Sequence, residues 1–312
     1  MRWRRLSLWI SGSLVGLLLA TVLLLSSCLE LVPSEKRLAE AFVGRERPRL
    51  ELLTGGDRPI RFAEVGNPEA PPVVLVHGSP GSWADFLELL RDPSLTARTH
   101  LIVPDRPGFG GSGDGDPETS LASQARLLAP LLERDAKGRP AILVGHSYGG
   151  PLIVRLAIDY PTRVAGLILV AGSVDPGLER TRWYQRLARW PPVRALLPRL
   201  LRVADDEIRP LEGELEAMLP RWREIHVPVT VIQGDDDALV PRGNADFAER
   251  MLVAAPLHMV RVHGMGHLIP WQRPVLIRDA ILAHLDAART EFTPPRVASA
   301  GLPPAAPPGQ NQ

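Results

Sequence analysis

A chain of 312 residues with 45% hydrophobic side chains has ample apolar material for a packed core, which excludes a disordered protein. Basic and acidic residues nearly cancel at a net +1, with no run of five or more like charges, so the broad positive field that gathers nucleic acid is missing. The single cysteine, Cys28, excludes an internal disulfide, a thiol pair and a cysteine-rich metal cluster.

Arg2, Arg4 and Arg5 precede an uncharged, leucine-rich run over residues 6–29, the charged and apolar regions of an export signal. The run is long enough to span a bilayer if it is not cut. Its end, Leu25-Ser26-Ser27-Cys28, resembles the bacterial lipobox, which implies cleavage before Cys28 and lipid attachment at that cysteine. Two membrane signals suffice for stable anchoring, and the several acyl chains of a lipoprotein meet that need. Residues 1–28 are therefore expected to export the protein and anchor it to a membrane, with an uncleaved single-span anchor as the alternative. The charged, amphipathic stretch 29–48 reads as a spacer that contributes no core.

Two short apolar or alternating runs, 50–53 and 60–65, are split by Gly55-Gly56-Asp57 and predict a hairpin of antiparallel edge strands. Continuous apolar runs follow at 73–76, 101–103, 141–144, 164–170, 227–232 and 257–262, the pattern of strands buried on both faces. Helical patterns at 82–91, 120–134, 149–160, 244–252 and 274–288 separate most of them, which predicts a doubly wound α/β domain over 49–293. No strand pattern occurs over 175–226. Trp183, Leu187 and Trp190, then Leu196, Leu197, Leu200 and Leu201, recur there at helical spacing, broken at Pro191-Pro192. That segment is expected to form a helical cap, and the Pro- and Ala-rich stretch 294–312 a disordered tail.

Gly145-His146-Ser147-Tyr148-Gly149 lies between a predicted buried strand and a predicted helix, the context of a nucleophile elbow, where a tight turn demands small flanking residues. A serine hydroxyl is a poor nucleophile unless a base takes its proton and an acid fixes that base. Ser147 is the expected nucleophile, with acid and histidine to follow later in the chain.

With these motifs the stretch from Leu50 to Ala288 resembles the α/β-hydrolase superfamily, of serine esterase or lipase type with a helical cap. Gly234-Asp235-Asp236-Asp237-Ala238-Leu239-Val240-Pro241 looks like the family's acid-bearing loop, and the acid four residues before the proline is Asp237. Asp235, Asp236 and the distant Asp175 remain its competitors. Gly264-Met265-Gly266-His267 is similar to the family's terminal Gly-His motif, which implies His267 as the base. His263, at a strand end, reads as a structural or supporting residue, and His100, His226, His258 and His284 as polar residues without partners. The resemblance also implies two oxyanion donors, the amides of Tyr148 and of Ser79 in His77-Gly78-Ser79-Pro80-Gly81, with His77 and His146 as buttresses of these loops.

Gly108-Phe109-Gly110-Gly111-Ser112-Gly113 fits the spacing of a dinucleotide fingerprint. It continues into Asp114-Gly115-Asp116-Pro117 instead of opening a helix, so no dinucleotide is implied. No metal-ligand spacing occurs, and no cofactor is expected. A serine stands where the dehalogenases and epoxide hydrolases that the chain resembles carry an aspartate, which leaves acyl transfer to water as the expected reaction. The expected substrate is an apolar small ester or a lipid. Lactone, thioester or carbon-carbon hydrolysis on the same triad, or a non-catalytic binding protein of this fold, are the alternatives.

Overall fold

The computed structural model describes residues 33–113, 115–179 and 183–291. Cys28 with the expected signal region, Arg180 and Arg182, and the expected tail 294–312 lie outside the described residues. Among the described residues no helix is long and apolar enough to cross a membrane.

Eight strands form one sheet: β1 (Arg49–Leu53), β2 (Ile60–Gly66), β3 (Pro72–Val76), β4 (His100–Pro104), β5 (Ala141–His146), β6 (Val164–Val170), β7 (Val229–Gly234) and β8 (Leu257–Val262). Their order is β1-β2-β4-β3-β5-β6-β7-β8. The pairings β1–β2 and β2–β4 are antiparallel and the rest parallel. Of the expected hairpin only β1 is an edge strand, since β2 pairs on both sides.

Successive side chains of a strand point to opposite faces, so a strand that is apolar throughout serves two cores. In β3, Val74 and Val76 join one buried cluster while Val73 and Leu75 join the other; in β6, Leu167 and Leu169 oppose Ile168 and Val170 in the same way. Helices Leu121–Leu128 and Gly149–Asp159 cover the first face, and Leu87–Leu90 and Pro274–Glu291 the second. At about 1.5–3 kcal/mol per fully buried aliphatic side chain, these two clusters supply the main favourable term in folding.

Three further expectations need correction. The run 257–262 is not buried on both faces: β8 is the far edge of the sheet, and His258 and Arg261 reach solvent. The stretch 29–48 is more than a spacer. Ser34 caps helix Glu35–Ala41 by accepting from the Arg37 amide, and Leu38 and Phe42, 8% and 3% exposed, join the second core cluster. The third concerns the cap. Helices Trp183–Ala188, Pro191–Leu196, Arg199–Ile208 and Leu211–Met218 follow β6 as expected, and Pro191 sits at a helix start, where its missing N–H removes no bond. Yet Leu211, Leu215, Met218 and Trp222 are buried in the first core cluster, so the C-terminal part of 175–226 belongs to the core of the sheet. The cap arginines Arg189 and Arg194 pair with Asp205 and Asp206 at 3.0 and 2.7 Å.

Candidate active site

Ser147 follows β5 directly and has φ of +53°, a left-handed conformation that costs a residue with a Cβ roughly 1–3 kcal/mol. The turn is held by the Ser147 amide donating to the Val170 carbonyl at 3.0 Å and by the Ser147 carbonyl accepting from the Gly150 and Ser173 amides. Glycine is required on both sides. A Cβ at Gly145 would collide with the carbonyl of Gly149, and one at Gly149 with the carbonyl of Val76. Helix Gly149–Asp159 starts two residues after the serine and directs the positive end of its dipole there.

His267 lies in the loop after β8. Its Nδ1 donates to Oδ2 of Asp237 at 2.8 Å, with the Asp237 side chain fully buried and the His267 side chain 11% exposed. The other carboxylate oxygen, Oδ1, accepts from the amides of Leu239 and Val240 at 2.9 and 2.8 Å. Asp237 therefore faces His267 with a fixed oxygen. None of its three competitors bonds to His267 among the described residues: Asp175 caps a short turn by accepting from Gly177, Asp236 is exposed, and Asp235 lies 3.7 Å from His263. His263 is 98% exposed at its side chain, with Asp235 as its neighbour.

His146 is buried beside this pair, its ring centroid 4.7 Å from that of His267. Its Nε2 donates to the His267 carbonyl at 3.1 Å, and burial, then the neighbouring His267, push its pKa from 6.5 down to about 3. A neutral, fully desolvated imidazole suits a buttress. His77 is likewise held well below the ordinary histidine range by burial and by the Arg106 charge; its Nδ1 donates to the Gly78 carbonyl and its Nε2 accepts from the Arg106 amide. His100 and His284 are not without partners, since Glu64 meets the first at 3.2 Å and Thr230 the second at 3.0 Å.

Ser147, His267, Ser79 and Tyr148 line one cavity of about 350 Å³. Among the described residues no protein oxygen accepts from the amides of Ser79 or Tyr148. The cavity wall is not uniformly apolar: Leu178, Leu211 and Trp271 alternate with Glu179, Arg189 and Glu212.

The model of the alpha/beta hydrolase family matches residues 73–280, from β3 into the last helix. The chain belongs to the alpha/beta hydrolase family. It is 31% identical over 255 residues to 2-hydroxy-6-oxononadienedioate/2-hydroxy-6-oxononatrienedioate hydrolase of Burkholderia vietnamiensis, covering 68% of this chain and 86% of that one. Epoxide hydrolase A of Mycobacterium tuberculosis is 35% identical over 217 residues, 65% of this chain and 58% of that one. Among solved structures, a bacterial membrane phospholipase A has a similar fold, with a TM-score of 0.60 at 22% identity, covering 91% of this chain and 96% of that one.

In this hydrolase the turn after β4 is built on Asp105, whose carboxylate accepts from the amides of Trp83 and Gly111 at 2.9 and 2.8 Å. That use of the segment Gly108–Gly113 is structural. The same turn carries a buried charge. Arg106 is fully buried and forms two bonds, at 2.7 and 2.8 Å, to Glu207 of the cap. An arginine among glycines in a loop reads as a solvated charge, and no motif in the sequence marks Arg106 as buried.

Proposed function

We propose that this hydrolase uses Ser147, His267 and Asp237 to cleave an ester or related acyl bond through an acyl-enzyme. The observation that carries the reading is the 2.8 Å bond from His267 to a buried Asp237 whose other oxygen is already held, in the cavity that Ser147 lines. With Nδ1–H engaged by Asp237, the His267 ring presents an unprotonated Nε2 able to accept the Ser147 proton. Ser147 Oγ bonds to the acyl carbon, the bond to the leaving alkoxide breaks, and His267 returns the proton to it. Water, losing its proton to the same imidazole, then attacks the acyl carbon; the bond to Ser147 Oγ breaks, the imidazolium returns the proton to that oxygen, and the acid is released. Negative charge on the carbonyl oxygen is met by the amides of Ser79 and Tyr148, donors without a protein acceptor among the described residues.

The cavity volume and its mixed wall favour a small ester or lipid acyl chain that also carries a polar group. A screen of p-nitrophenyl esters from acetate to decanoate on the purified protein tests this. Turnover with a chain-length optimum, abolished by Ser147→Ala, supports it, and no turnover of any ester argues for a different bond. Carbon-carbon hydrolysis is the second reading, favoured by the likeness to the Burkholderia enzyme. The export reading rests on the sequence of residues 1–28, and the proposed address is a membrane reached through lipid on Cys28. Intact-mass measurement of the mature N-terminus decides it, because a retained Met1 excludes lipidation at Cys28.

A further inference from the structure

Arg106 has five N–H donors, and all five are used inside the protein. Nε donates to the His77 carbonyl at 3.1 Å, Nη1 to Gln124 and Glu207 at 3.1 and 2.7 Å, and Nη2 to the Gly78 carbonyl and Glu207, both at 2.8 Å. The guanidinium lies between two rings, 4.5 Å from the centroid of Tyr148 and 4.9 Å from that of Phe109. Both it and Glu207 are fully buried.

A buried ion pair is a poor source of stability, since the cost of stripping water from two charges offsets most of their attraction, and apolar pairs of similar volume often serve as well. Its position suggests what else it does. The carbonyl of Gly78 and the amide of Ser79 belong to one planar peptide, and the only cis bond among the described residues is the next one, Ser79-Pro80. In a trans peptide the two groups point in opposite directions. Arg106 and His77 both donate to the Gly78 oxygen, at 2.8 Å each, so they fix the direction in which the Ser79 N–H projects. A cationic donor on the carbonyl also polarises the peptide and strengthens its N–H as a donor. The second amide, that of Tyr148, belongs to the residue whose ring rests on the same guanidinium and whose hydroxyl accepts from Gln124, itself bonded to Arg106.

Glu207 adds a link to the cap. It stands on helix Arg199–Ile208, where Val203 and Ala204 pack on Phe109, and Ile208 at the end of that helix lines the cavity. We propose that Arg106 is the positioning residue of the oxyanion amides, and that Glu207 makes their alignment depend on the seating of the cap helix. The inference rests on the serine-hydrolase reading above and adds to it a coupling between acyl-pocket closure and transition-state stabilisation.

The test compares wild type with Glu207→Gln, Glu207→Asp, Arg106→Lys and the double variant Arg106→Met/Glu207→Leu, each checked for folding by near-ultraviolet circular dichroism. The substrate is p-nitrophenyl butyrate and the inhibitor an alkyl trifluoromethyl ketone, whose serine adduct places a negative oxygen on the two amides. Losing an oxyanion donor outright costs about a hundredfold to a thousandfold in kcat, and displacing one should cost about tenfold to a hundredfold. The expected result is a fall of that size in kcat with KM within about twofold, matched by an equal rise in the inhibition constant of the ketone, as interactions made only in the transition state require. Glu207→Asp, which keeps the charge, should recover part of the loss. The double variant removes both charges, so it should keep the fold while retaining the loss. A folded variant with wild-type kcat, a loss confined to KM, or a double variant that regains activity together with thermal stability overturns the inference. Labelling of wild-type Ser147 by a fluorophosphonate, run alongside, separates the two claims: without an adduct the serine-hydrolase reading falls and the inference with it, whereas a normal adduct with unaffected variants removes the inference alone.

Discussion

The carboxylate of Asp237 gives one oxygen to His267 at 2.8 Å and the other to the amides of Leu239 and Val240, so the acid is oriented by the backbone that follows it. A carboxylate held in this way fixes the tautomer of its histidine partner and stabilises the imidazolium that forms during reaction. Asp237→Asn should therefore lower kcat by about ten-thousandfold with little change in KM. Asp175→Asn and Asp236→Asn, neither of which removes the carboxylate bonded to His267, should stay within about threefold of wild type. Steady-state rates on one activated ester check all three.

The buried His146 predicts a pH dependence of stability. Its folded pKa of about 3 lies below the ordinary 6.5, so the unfolded chain binds a proton that the folded one refuses. The stabilising contribution is complete above about pH 6.5 and is lost as the pH falls toward 3, amounting to about 2 kcal/mol by pH 5. His77 acts in the same direction. His146→Gln, which keeps a donor for the His267 carbonyl, should lose less stability than wild type between pH 7 and pH 5 in urea unfolding. Parallel losses would show that His146 is not the group that titrates.

The backbone of Ser147 stores strain at φ of +53°. Ser147→Gly relieves it and should raise stability by about 1 kcal/mol, a few degrees in Tm, while abolishing turnover. Gly149→Ala should do the opposite, preventing the elbow from closing because its Cβ meets the Val76 carbonyl. Thermal unfolding of both variants measures the pair.

Phe42 lies outside the stretch that reads as a folded domain, yet only 3% of it is exposed. Phe42→Ala should cost about 3 kcal/mol in chemical denaturation and leave kcat unchanged, because the residue packs in the second core cluster and does not line the cavity.

Ser147 and His267 were legible because each belongs to a short motif that local geometry demands: small residues around a tight turn, and a Gly-His pair after the last strand. Asp237 was legible only to within a cluster, since three consecutive aspartates share one loop and only the fold decides which one faces His267. The sheet was legible from continuous apolar runs, except at β8, where neighbours in space and not residue type decide that a strand is an edge. Leu38 and Phe42 were hidden as two apolar residues in a charged stretch. Arg106 and Glu207 were hidden more deeply. They stand 101 residues apart, and charged residues are read as solvated unless the fold brings them together in the dark of the core.

The proposed reaction requires Ser147 to be a nucleophile activated by the folded site. Labelling native protein with a fluorophosphonate and locating the adduct by peptide mass spectrometry addresses that directly. A single adduct on Ser147, absent after heat denaturation and strongly slowed in Asp237→Asn, is the predicted result. No adduct on correctly folded protein, or an adduct on another residue, would contradict it.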